Sequence, residues 1–335
     1  FWLKPTSSNC LFPTSSFCSA LSSQIMLGVV SKILGVATPL LGRVFDFTGA
    51  PTRYEHAGFH YNPADTFFDN EFGTWGTDYG LALVMLCGLV ALRSLEHARR
   101  SQNGRAQPPS PARIALARSS KALIAMYAAS VFTGAIAHQC FISVDMLNTP
   151  QFRALWSVCV GTVATAGGAM GCAAAALFRL QEPPPLGATP HSGQAVLAAC
   201  SSYRAWATYG SVLLGIVLVG GFSMKRPATD IFLVGVTQTP PTMYIAAVLL
   251  WGRWPPQVAA ARAARWGLAA SFASNCPLIF AYPWLLDDRR WSPALTLEQV
   301  NIACHANLLV TWGGQCAGLY AVAKVIDACH WTKSA

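Results

Sequence analysis

"EFGTWGTDYGLALVMLCGLVAL", residues 71–92, decides the fold class. With the apolar residues that follow Tyr79, it is long enough to cross the hydrocarbon layer of a bilayer, which takes about 20 residues of helix. Yet Asp78, an acid, sits near its start. A carboxylate at membrane depth costs roughly 3 kcal/mol on insertion scales, so it is retained where it has a partner or a task. The partners of Asp78 have to come from elsewhere in the chain.

The rest of the chain has the same character. Of its 335 residues, 53% are hydrophobic and only 11% are charged, against about 25% charged in soluble domains. Mean hydropathy is +0.39. Seven runs are long enough to span, at 73–93, 121–142, 154–178, 205–224, 230–251, 264–286 and 300–323. Proline-rich or charged segments separate most of them, among them "RSQNGRAQPPSPAR" at 100–113 and "RWPPQ" at 253–257. Barrel strands would alternate over about ten residues, and these runs do not. The expectation is an all-α, polytopic bundle of seven transmembrane helices over 73–335, preceded by a targeting-like and interfacial segment over 1–72.

The net charge of +9 comes from loops between the apolar runs. It therefore reads as topology and not as a nucleic-acid surface. Arg93, Arg118, Lys121, Arg179 and Arg204 are among fourteen Lys and Arg residues on one face, the cytoplasmic or matrix-like one. The N-terminus then belongs on the other face. Gly167 and Gly171 form a small-xxx-small step suited to close helix packing. Trp156, Trp206, Trp251, Trp254, Trp266, Trp284 and Trp312 fall mostly near span ends, where an aromatic belt anchors helices. The eleven cysteines include no CxxC pair and read as small hydrophobes. The expected partners are membrane lipids and other membrane-protein subunits.

Residues 1–45 are Ser-rich, carry Lys4, Lys32 and Arg43, and have no acid before Asp46. That is the composition of an organelle transit peptide, and a chain opening on Phe1 reads as a processed product or an incomplete reading frame. An organelle inner membrane is expected, mitochondrial before plastid. Residues 26–45 read as an amphipathic helix lying on the membrane, or as a further imperfect span. In "EHAGFHYNPADTFFDNEF", residues 55–72, His56 and His60 would suit a metal on a helix. Gly58 and Pro63 argue against a helix there, and the segment reads as a loop capping the bundle.

Depth identifies partners for Asp78. Asp78 lies five residues into the first span, His138 four from the end of the second, and His305 five into the seventh. At 1.5 Å per residue each is roughly 6–7 Å below the same face. The three are expected to meet inside the bundle, with Gln139, Asn301 and Asn307 nearby. Asp78 would then either accept imidazole hydrogen bonds that tie three helices together or join both imidazoles in holding Zn²⁺.

Thr77-Asp78-Tyr79, Gly134 with His138, and His305 with Asn307 resemble the motifs of a group of seven-helix membrane proteins. That group is distantly similar to the alkaline-ceramidase-like hydrolases, the CREST superfamily. "GTWG" at 73–76 is similar to the Trp-Gly before the acidic motif of ceramidases. The resemblance implies a seven-helix bundle with a zinc site made by His138 and His305, acting on a lipid amide. The chain departs from that pattern where Gly134 replaces a serine and where Leu309 and Val310 stand in place of a second histidine. The family's third-span acid is missing too, since Asp145 lies in the loop ahead of that span.

Three functions follow, in this order. The first is a non-catalytic accessory or structural subunit of a mitochondrial inner-membrane assembly such as a respiratory complex, with no cofactor. The second is a CREST-like zinc-dependent lipid amide hydrolase, with Asp78, His138 and His305 as catalytic and metal-ligand candidates. The third is a small-solute transporter, for which Gln238 with Pro240-Pro241 and Asn275 with Pro277 supply helix interruptions.

Overall fold

Two of the long helices begin where a hydroxyl cap and a proline coincide. Ser110 Oγ accepts the Arg113 N–H, and Thr149 Oγ1 accepts the Phe152 N–H at 3.3 Å. Each cap is followed by proline at the first helical position, where a missing N–H costs nothing. The computed structural model describes residues 70–102, 109–182, 192–223, 230–275 and 296–331. All of them belong to the second of two units, Val44–Ala335. The transit-like stretch, the 26–45 helix and His56 and His60 lie outside the described residues, as do Trp284 and Pro277.

In chain order the helices are α1 (Phe72–Gln102), α2 (Pro111–Cys140), α3 (Val144–Leu147), α4 (Pro150–Arg179) and α5 (Ser192–Ala199). They continue with α6 (Tyr203–Ser223), α7 (Asp230–Trp251), α8 (Pro256–Ala260), α9 (Arg262–Ala273) and α10 (Leu297–Trp331). Among the described residues there is no strand. Among the described residues, three helices are long and apolar enough to cross a membrane: Phe72–Ala98 within α1, all of α2, and all of α4. The other predicted runs fall on α6, α7, α9 and α10, with 276–286 outside the described residues. Helix α2 starts ten residues before the apolar run that announced it, because the Ser110-Pro111 cap outweighs the charges of Arg113, Arg118 and Lys121.

Long-range contacts fix the directions of three helices. Glu96 meets Lys121 at 2.5 Å near one end of α1, and Asp78 meets His138 near the other, so α1 and α2 are antiparallel. A Cβ on Gly73 would lie 2.5 Å from Ile302, and one on Gly88 would lie 1.8 Å from Cys316 Sγ. Asp78 bonds His305 between those two points, so α1 and α10 run parallel and nearly in step. Arg113 pairs with Asp327, closing the same end as Lys121 and Glu96.

Helix α4 occupies the centre. Of its most apolar stretch 72% is buried, against 22% for α1. Its small residues make that possible. Gly171 leaves room for the Trp206 indole, and Gly167 faces the Thr237 carbonyl and Pro241 of α7. The closest approach is one that the Gly167/Gly171 spacing did not mark. A Cβ on Gly168 would stand 2.7 Å from the Trp206 carbonyl and 2.8 Å from Gly210 Cα, backbone that cannot swing aside. Trp206 packs between helices, and Trp312 is buried and stacked on Tyr127 at 3.9 Å. Neither is the interfacial anchor expected of these tryptophans, whereas Trp251 and Trp266 are exposed.

The prolines of α7 are absorbed by packing. Pro241 has no N–H, so the Thr237 carbonyl four residues back loses its helical partner. The Tyr209 hydroxyl donates to that carbonyl. Gln238 is held at both ends, accepting from Tyr127 at 3.2 Å and donating to the Val163 carbonyl at 2.7 Å. Two outcomes follow, both readable from thermal unfolding in detergent. Gly168→Ala destabilises by about 1–3 kcal/mol through overpacking, while Gly215→Ala, with nothing within 4 Å, leaves the midpoint unchanged. Tyr209→Phe strands the Thr237 carbonyl and costs about 1–3 kcal/mol.

Candidate metal centre

Asp78 is 4% exposed and projects from the second turn of α1. One turn earlier Thr74 is fully buried, and Thr77 turns its hydroxyl back to the Gly73 and Thr74 carbonyls at 2.8 Å. Thr77 therefore satisfies its hydroxyl locally, and the aspartate points into the bundle. His138 comes from the last turn of α2 and is 7% exposed. His305 lies on α10 and keeps 17% of its side chain exposed.

His305 Nδ1 lies 2.7 Å from Asp78 Oδ1. A carboxylate can only accept, so Nδ1–H donates and the lone pair of the neutral ring is on Nε2. The His138 and His305 rings meet edge to face, with centroids 5.4 Å apart and planes at 89°. One donor atom from each of Asp78, His138 and His305 can be chosen so that all three lie within 4.8 Å of one another. This is the grouping that common depth predicts.

The neighbours are less as expected. Gln139 is exposed and accepts from the Tyr79 hydroxyl at 2.8 Å, at the rim of the site. Among the described residues no hydrogen bond joins Asn307 to the three, and the Asn301 side chain lies outside the described residues. Trp156 of α4 closes the far side, edge-on to His138 at 5.8 Å and stacked on Phe152 at 5.6 Å. Sequence reasoning had made Trp156 an anchor, although its place in the first turns of its span put it level with His138. A Cβ on Gly134 would lie 3.5 Å from both Asp78 Oδ2 and Cys159 Sγ. The missing side chain of Gly134 thus leaves room for both the Asp78 carboxylate and the Cys159 thiol.

Two imidazoles and a carboxylate are a known catalytic zinc set, which leaves a fourth position open. Tetrahedral ligands at about 2.0–2.1 Å from the ion stand roughly 3.3 Å apart. Small side-chain rotations take donors spread over 4.8 Å to that spacing. The residues present fit such an ion. No family model, no curated protein and no solved structure matches the chain.

Removing either partner of a buried polar pair leaves the other unsatisfied. A double-mutant cycle of Asp78→Ala and His305→Ala, read by unfolding in detergent, is expected to give a coupling of about 1–3 kcal/mol. A coupling near zero would show that the two helices are held without this bond.

Proposed function

We propose that the chain is an integral membrane protein of seven crossings, with Asp78, His138 and His305 binding a zinc ion for hydrolysis of a lipid amide or ester. The observation that carries this reading is the meeting of three donor groups from three helices within 4.8 Å. The second imidazole, set edge-on against the first, supports this reading because it brings a third donor to the same place. The four further crossings rest on α6, α7, α9 and α10, which begin on the remaining apolar runs.

Bound zinc would supply a Lewis acid and a water acidic enough to ionise near neutral pH. The chain's own residues do the rest. Asp78 and His305, joined here through Nδ1–H, would exchange that hydrogen bond for two bonds to the ion, with Nδ1 giving up its proton. Trp156 and Phe152 wall the site on the α4 side. The exposed Tyr79–Gln139 pair marks the approach from outside.

Purified protein is expected to contain about one zinc per chain by elemental mass spectrometry. His138→Ala and His305→Ala should each abolish it, and Tyr79→Phe should retain it. A folded wild-type protein with no zinc overturns the proposal. The 2.7 Å Asp78–His305 bond favours a second reading, a metal-free clasp in an accessory subunit of an organelle membrane complex. Stable migration in a large assembly after mild extraction, without metal, would support that reading.

A further inference from the structure

Helices α2 and α6 pack on different flanks of α4 and leave a cleft between them. It extends from Pro111 to Met126 along α2, from Thr165 to Cys172 along α4, and from Tyr203 to Ser211 along α6, with a volume of about 730 Å³. The floor exists because Gly168 and Ala169 have almost no side chain. Ser119 and Thr165 spend their hydroxyls on the Ala115 and Gly161 carbonyls, while the buried Tyr203 hydroxyl has no hydrogen-bond partner among the described residues. The lining is otherwise mainly apolar, and the channel opens on the outside of the bundle, where Arg118, Ala207 and Ser211 are exposed.

The charged residue in its lining is Arg118, midway between Pro111 and Met126 along α2, and Tyr203 at one end carries the Arg179 guanidinium 4.3 Å above its ring. Arg204 is the next residue along α6 and is exposed. Among the described residues no carboxylate pairs with any of these three arginines. Arg113 and Lys121 on the same helix have Asp327 and Glu96. Arg179 donates to the Ser201 carbonyl at 3.0 Å as well as covering Tyr203, which leaves Arg118 as the exposed guanidinium lining the channel. A guanidinium without a carboxylate beside an apolar channel matches a phosphate with a hydrocarbon tail.

Fifteen residues of α2 give the cleft a length of roughly 22 Å, enough to lay a hydrocarbon chain along the α4 floor.

We propose that this cleft binds an anionic phospholipid, with an acyl chain along the α4 floor and its phosphate on Arg118. The proposal rests on the membrane placement argued above but not on zinc. The test is native mass spectrometry of the full chain, extracted in mild detergent and equilibrated with bicelles of equimolar phosphatidylcholine and phosphatidylglycerol. Wild type is expected to retain phosphatidylglycerol over phosphatidylcholine by about tenfold. Arg118→Gln should remove the preference, and Ala207→Phe, on the exposed lip, should lower retention of both lipids. Arg93→Gln, a basic residue away from the cleft, should leave the preference intact. Equal retention of both lipids by wild type, equal effects of Arg118→Gln and Arg93→Gln, or a polypeptide in place of lipid overturns the proposal. A chain that stays in solution without detergent fails the membrane placement instead.

Discussion

A buried carboxylate is the constraint around which the bundle is arranged. Asp78 is almost wholly removed from solvent, and an unpaired acid there would cost several kcal/mol. The His305 bond answers that cost only if α10 lies beside α1 and parallel to it, with Ile302 and Cys316 against glycines that yield the space. His138 adds the condition that α2 runs the other way. One polar residue thereby sets the neighbours, the directions and the register of three helices. The glycines at 73 and 88 make that register sterically allowed, while the bond makes it the favoured one.

The two ends of this three-helix unit solve different problems. Asp78 and Glu96 are eighteen positions apart on α1, roughly 27 Å, close to the thickness of a hydrocarbon core. At the Glu96 end, Lys121 meets Glu96 and Arg113 meets Asp327, pairs with part of their surface still in solvent. At the Asp78 end, the partners are imidazoles, which can be neutral and so tolerate deeper burial than a lysine or arginine would. Between the two ends the contacts are apolar, with Leu81, Met85, Leu123 and the Tyr127–Trp312 stack at the centre.

The helices were largely legible in the sequence because length and hydropathy are local properties. Depth was legible too, since a helix rises by a fixed amount per residue, and counting alone put Asp78, His138 and His305 on one level. Helix starts were missed where charged residues stood inside the first turns, although Ser110-Pro111 and Thr149-Pro150 announced them. What could not be read were contacts set by crossing angle. Gly168 against Gly210, Trp206 in the notch of Gly171, and Tyr209 reaching the Thr237 carbonyl each depend on which faces α4, α6 and α7 present to one another. Spacing within a single helix contains none of that information.

The treatment of proline in α7 bears on how the bundle divides its roles. Broken helices with polar groups at mid-depth are how transporters expose backbone to a solute. Here the carbonyl released by Pro241 accepts from Tyr209, Gln238 is bonded at both ends, and Thr242 rests on Met170 Sδ at 3.4 Å. Each of those partners is protein, and together they tie α7 to α2, α4 and α6. By contrast, His138 and His305 bring their rings together at a rim that Tyr79 and Gln139 reach from outside. Thr237, Gln238 and Thr242 are thus engaged in packing α7 against its neighbours, whereas the Asp78 cluster joins α1, α2 and α10.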